Sequence, residues 1–197
     1  MIKKSISILA IVVTMILLAT ACGSGEKADL SANIPPKNQN TSTQAINLTP
    51  TNGSIDAGSI SKDDQAYAYY LVFCKLMEDD PGLSAGIKYI GLDLSKTKLD
   101  GPENLIALVQ DYCDKREYTL LIGNYEQLVG AGYINGDELY WEDGNLVSFA
   151  DVSLSPDRLK TAASKWASGT GAIGSTYTVK KNDSKWSIID ETNFWIS

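Results

Sequence analysis

No histidine occurs among the 197 residues of the chain. That absence excludes Ser-His-Asp and Cys-His catalysis, histidine-ligated zinc and haem, and an imidazole proton shuttle. Basic residues are scarce: 17 Lys and Arg stand against 24 Asp and Glu, a net charge of −7. Nucleic-acid binding draws most of its affinity from Lys and Arg on phosphates, so a nucleic-acid partner is not expected. Only three cysteines are present, at 22, 74 and 113, and no two form Cys-x-x-Cys, so a two-cysteine redox site is not expected. With 44% hydrophobic and 21% charged residues, the composition is globular.

What is present begins at the amino end. Met1-Ile2-Lys3-Lys4 is a short basic start, and Ser5 to Ala21 is uncharged and mostly apolar. Ala19-Thr20-Ala21 then precedes Cys22. A basic start, an apolar run and small residues at its end describe a secretory signal. Its dense apolar centre, Ile8 to Ala19, is shorter than the roughly 20 residues of a spanning helix. Small residues directly before a cysteine resemble the lipobox of bacterial lipoproteins, with Ala19 where that family usually has Leu. The resemblance implies cleavage between Ala21 and Cys22, removal of residues 1–21, and diacylglyceryl modification of the Cys22 sulfur. Two acyl chains on one residue suffice for stable attachment. The expected location is therefore the extracytoplasmic face of the cell membrane, lipid-anchored. Loss of Lys3 and Lys4 would take the net charge from −7 to −9, so the folded part should not lie on anionic lipid.

Residues 22–61 read as a flexible linker behind the lipidated cysteine. The segment is rich in Ser, Thr, Asn, Gly and Pro, and has no aromatic residue. It cannot bury enough surface to offset ordering entropy. As a coil of about 40 residues it spans roughly 35 Å root-mean-square. The Asn-x-Ser/Thr triplets at 40, 47 and 52 read as accidents of this composition.

Residues 62–197 read as a single α+β domain, with two to three helices packed on a mostly antiparallel sheet; an NTF2-like cone is one specific form of that class. A helix is expected over Lys62–Glu78, with Ser61 and Asp64 as a capping box, a stripe of Ala66, Tyr70, Phe73, Cys74 and Met77, and a stop at Asp80-Pro81-Gly82. A second is expected from Pro102 to Lys115, and a short third behind Asn124 and Gln127. Strands are expected at 87–94 and 118–122. Hairpins are expected for 139–141 with 146–152 and for 172–180 with 185–190. The 157–168 segment fits both a helix and an alternating strand.

Gly169, Gly171 and Gly174 carry dinucleotide-fingerprint spacing, but Ser175 to Val179 behind them is strand-like, where the fingerprint needs a helix. No cofactor is therefore expected, and the glycines are read as supplying positive φ or close backbone approach. The stretch Trp166-x-Ser168-Gly169-x-Gly171-Ala172-x-Gly174, followed by Tyr-Thr-Val-Lys-Lys and Lys185-Trp186, resembles the C-terminal part of small lipoproteins and secreted proteins of Gram-positive bacteria. The resemblance implies a strand before the tryptophan and brings no catalytic residue.

Cys74 and Cys113 both lie on apolar helix stripes. A disulfide between them would contribute roughly 4 kcal/mol by the chain-entropy argument; the other reading is two buried free thiols. The acidic clusters Asp63-Asp64, Glu78-Asp79-Asp80, Asp137-Glu138 and Glu142-Asp143 lack calcium-loop spacing, so no metal site is expected and they read as solvated helix ends and turns. Tyr140-Trp141 is the candidate platform for stacking a sugar ring, with Tyr67 or Tyr69 as further candidates. Trp166, Trp186 and Trp195 are assigned to the core. The functional expectation is a non-enzymatic binding module tethered outside the cell, its partner an envelope protein or glycan. The alternative is an envelope hydrolase cleaving glycans with paired carboxylates, and no catalytic residue is assigned.

Overall fold

The computed structural model describes residues 55–62 and 64–197. The signal-like segment, Cys22, most of the linker and Asp63 lie outside the described residues. Among the described residues, no helix is long and apolar enough to cross a membrane.

Helix α1 spans Gln65–Glu78. Asp64 is its N-cap and accepts from the Ala66 N–H, so it occupies the cap itself and not the third helical position expected of it. The buried stripe is Ala66, Tyr69, Val72, Phe73, Leu76 and Met77, with Tyr70 and Cys74 only half-buried at its margin. Asp80, at φ 48, ends the helix, and the 3-10 turn Pro81–Ser84 follows.

Strand β1 (Tyr89–Lys96), helix α2 (Glu103–Asp114) and strand β2 (Thr119–Ile122) form a parallel β-α-β unit. Helix α3 (Tyr125–Gly130) opens with the full capping box expected of Asn124 and Gln127. Four long strands complete the chain: β3 (Gly144–Ser155), β4 (Arg158–Ser168), β5 (Gly171–Asn182) and β6 (Lys185–Ile196). The sheet order is β2-β1-β3-β4-β5-β6; β1 pairs parallel with β2 and β3, and the rest is antiparallel. The fold is α+β, and 158–168 is a strand.

One hairpin differs from expectation. Leu139–Trp141 does not pair with β3, because β1 and β4 take both of its edges. The segment instead bridges Asn135 and Ser168 through Tyr140. The last hairpin turns on two residues, Asp183 and Ser184, both at positive φ, and not on the four expected.

Side-chain alternation sorts the sheet into two faces. Ile90, Leu92, Val147, Phe149, Leu159, Ala163, Ile173, Tyr177 and Val179 join α1 and α2 in the main core. On the opposite face, Leu121, Leu128, Ile134, Trp141 and Leu146 make a smaller core beneath α3 at the β2-β1-β3 end.

Candidate functional site

Beyond that smaller core, the second face of the sheet carries an open trough of about 310 Å³. Its floor can be read from the strand register. One row runs Asp93, Ser148, Ser164, Gly174, Trp195 across β1, β3, β4, β5 and β6. The neighbouring row runs Lys96, Ala150, Ala162, Thr176, Thr192. Small side chains hold the middle of both rows, a carboxylate and an ammonium stand on one wall, and an indole stands on the other. At about 4.8 Å per strand, the walls are roughly 19 Å apart along the backbone.

Irregular register puts the walls on one face. Residues three apart on a regular strand point to opposite faces. Between Asp93 and Lys96 the pairing with β3 shifts, so both line the trough. A second shift lies between Gly174 and Thr176, where Asn193 takes φ 56, and it turns Trp195 onto the same face. Asn193 lines the trough and donates through Nδ2 to Thr176 Oγ1 at 3.4 Å.

Trp195 is 45% exposed, so its assignment to the core is corrected. Its indole lies against Gly174, where an added Cβ would come within 2.5–2.7 Å of Cζ2, Cε2 and Nε1. This is the close approach expected of the glycine-rich stretch, whose three glycines all have ordinary φ. Trp186 is buried, and Trp166 is half-buried, edge-on to Tyr125.

The expected Tyr140-Trp141 platform is split. Tyr140 is exposed, but Trp141 is 2% exposed, stacked on Tyr89 and pressed onto Gly144. No indole face is left for a ligand there. Tyr69 is fully buried and likewise unavailable for stacking. Its hydroxyl donates to Asp151 Oδ2, which also accepts the Lys98 N–H at 2.6 Å. Burial, reinforced by the Asp151 carboxylate, pushes the Tyr69 phenol pKa upward.

Cys74 and Cys113 are free thiols, so the bond left open by the sequence is not formed. Burial raises both pKa values, that of Cys113 to about 12. Thiols held protonated in this way are poor nucleophiles.

Lys165, which no sequence motif marks, is fully buried on the helix-covered face. Its Nζ donates to the backbone oxygens of Asp79 at 2.6 Å and Asp80 at 3.0 Å, and to Ser84 Oγ at 3.3 Å. Burial holds its pKa below the usual lysine value, partly opposed by the Asp80 and Asp79 carboxylates. All three protons are used at the end of α1, which makes this lysine a structural strut. Its signal was parity: it shares a strand face with Leu159, Thr161 and Ala163.

The described members of the acidic clusters lie at helix ends and turns. Asp79 binds Lys75 at 2.6 Å, Asp143 faces Lys88 at 3.2 Å, and Glu138 accepts from Asn135. Among the described residues, no group of three His, Cys, Asp or Glu side chains is placed to hold a metal ion. No protein-family model, curated protein or solved structure matches the chain.

Proposed function

We propose that this chain is a lipid-anchored extracytoplasmic binding module that engages its partner on the open face of the sheet. The observation that carries the reading is the pair of register rows, with small residues between the Asp93 and Lys96 wall and the Trp195 wall. A face meant only for solvent has no need of a floor cleared of large side chains or of an indole left open beside it. The lipobox-like segment and the polar linker supply the anchor and the leash. A leash of this length keeps the domain near the membrane while leaving its face free to turn.

The hydrolase alternative requires two carboxylates flanking the scissile bond. The trough presents one, Asp93, with Lys96 on the same wall. That arrangement suits holding a ligand better than cleaving it.

The test has two arms, both in a Gram-positive host with the full chain. Cys22→Ala is expected to move the protein from the membrane fraction to the medium; unchanged retention overturns the anchor. A photo-crosslinking residue at Lys96, exposed on the trough wall, is expected to give a discrete adduct in living cells that the same residue at Glu126, on α3, does not give. Identical patterns from the two positions overturn the binding face.

A further inference from the structure

The trough's chemistry points to a class of ligand. We infer that it binds a neutral oligosaccharide, with one sugar ring stacked on Trp195 and the chain running across the strands toward Asp93 and Lys96; this rests on the binding-face reading above.

Four observations support the choice. First, the ladder hydrogen bonds of β3, β4 and β5, the strands of the floor, are used on both sides, since each lies between two others. A ligand on this face meets side chains only, so a peptide cannot bind there by adding a strand. Second, the polar groups offered are hydroxyls on Ser148, Ser164 and Thr176, an amide on Asn193, and the Asp93 and Lys96 pair. These donate and accept in mixture, as a polyol requires. Third, Asp93 and Lys96 cancel in charge, although the chain as a whole is strongly acidic. An anionic or cationic ligand would meet one like charge for each opposite one, whereas a neutral ligand meets no repulsion. Fourth, Trp195 is the most exposed of the tryptophans, and it stands on the trough wall. An indole face beside hydroxyl-bearing side chains matches a sugar ring, which has an apolar C–H face and a polar rim.

The test uses the full chain in a detergent without a sugar headgroup. The probes are three neutral tetrasaccharides, of β-1,4 N-acetylglucosamine, β-1,4 glucose and α-1,4 glucose, with a charged tetragalacturonate as comparison. Acrylamide quenching of tryptophan emission reads Trp195 most strongly, because Trp141 and Trp186 are buried. At least one neutral probe at millimolar concentration is expected to protect the emission. Trp195→Ala is expected to weaken binding at least about tenfold, measured by calorimetry. Ser164→Leu, which fills the floor and leaves every tryptophan in place, is expected to abolish protection and guards against a Trp195→Ala variant that fails to fold.

Protection by none of the neutral probes overturns the inference. So does tetragalacturonate binding as tightly as they do, and so does undiminished binding in a folded Trp195→Ala variant. If no saccharide binds but the Lys96 adduct forms, the ligand class falls and the binding face stands. If neither appears, both fall.

Discussion

Trp195 rests on Gly174, one strand away in register, at a separation that leaves no room for a β-carbon. The contact fixes the indole at the trough wall from below. Gly174→Val should therefore push Trp195 outward. The expected result is a red-shifted emission, increased acrylamide quenching and a loss of about 1–3 kcal/mol in urea unfolding. Unchanged emission and stability would mean that the indole finds an equivalent seat without the glycine.

Lys165 ties the end of α1 to the centre of the sheet. Lys165→Met keeps a similar apolar stem but removes the donor to Asp79 and Asp80, leaving two backbone oxygens without that partner. A loss of about 1–3 kcal/mol is expected by urea denaturation. A variant as stable as the parent would mean that the cost of dehydrating the ammonium cancels what its hydrogen bonds contribute.

Tyr69 and Asp151 join α1 to the irregular stretch of β3 between Asp151 and Ser153. Asp151 Oδ1 is buried without a hydrogen-bond partner, so the carboxylate depends on what Oδ2 receives from Tyr69 and Lys98. Tyr69→Phe removes one of those two donors. It should cost about 1–3 kcal/mol. Hydrogen exchange should show faster opening of the Lys98 amide, and equal exchange rates would place the tie elsewhere.

Local signals were legible in the sequence where a few neighbouring residues decide the outcome. The Asn124 and Gln127 capping box and the Asp80-Pro81-Gly82 stop each depend on spacing alone, whereas the apolar spacing of 157–168 fits a helix as well as the strand that forms. The Leu139–Trp141 hairpin does not form because strand pairing is settled by competition: β1, distant in sequence, takes the edge that a local hairpin would use. The exposure of Trp195 is hidden from the sequence for a related reason. Its face depends on a register shift opposite Gly174 and Thr176, and neither strand announces that shift in its own pattern. The trough followed it out of reach, since its two walls come from residues about a hundred positions apart.

Cys113 links stability to alkaline pH. Its folded pKa of about 12 exceeds the unfolded value near 8.5. The folded state therefore holds the proton more tightly. The stability from this group is whole below about pH 8.5 and is lost as pH rises toward 12. Cys113→Ala should unfold more readily than the parent at pH 7 through the cavity it leaves, yet show a shallower decline above pH 8.5. Alkylation of the unfolded, unreduced protein should label both Cys74 and Cys113; a mass consistent with a bond between them would remove the premise.

Asn193 carries the backbone geometry on which the Trp195 wall depends. At φ 56 it occupies the left-handed region, which asparagine tolerates and β-branched residues do not. Asn193→Gly should keep that conformation and leave Trp195 emission close to the parent's. Asn193→Val should cost about 1–2 kcal/mol and expose the indole to a different environment, because relieving the strain would slide β6 toward a regular register. A regular register carries Trp195 to the helix-covered face, where α1 already packs. The strand end would then have to fray to keep so large a side chain out of the core. Faster amide exchange confined to residues 192–197 in the valine variant is the expected signature, and uniform exchange across β6 in both variants would separate the wall from the turn of the backbone at this residue.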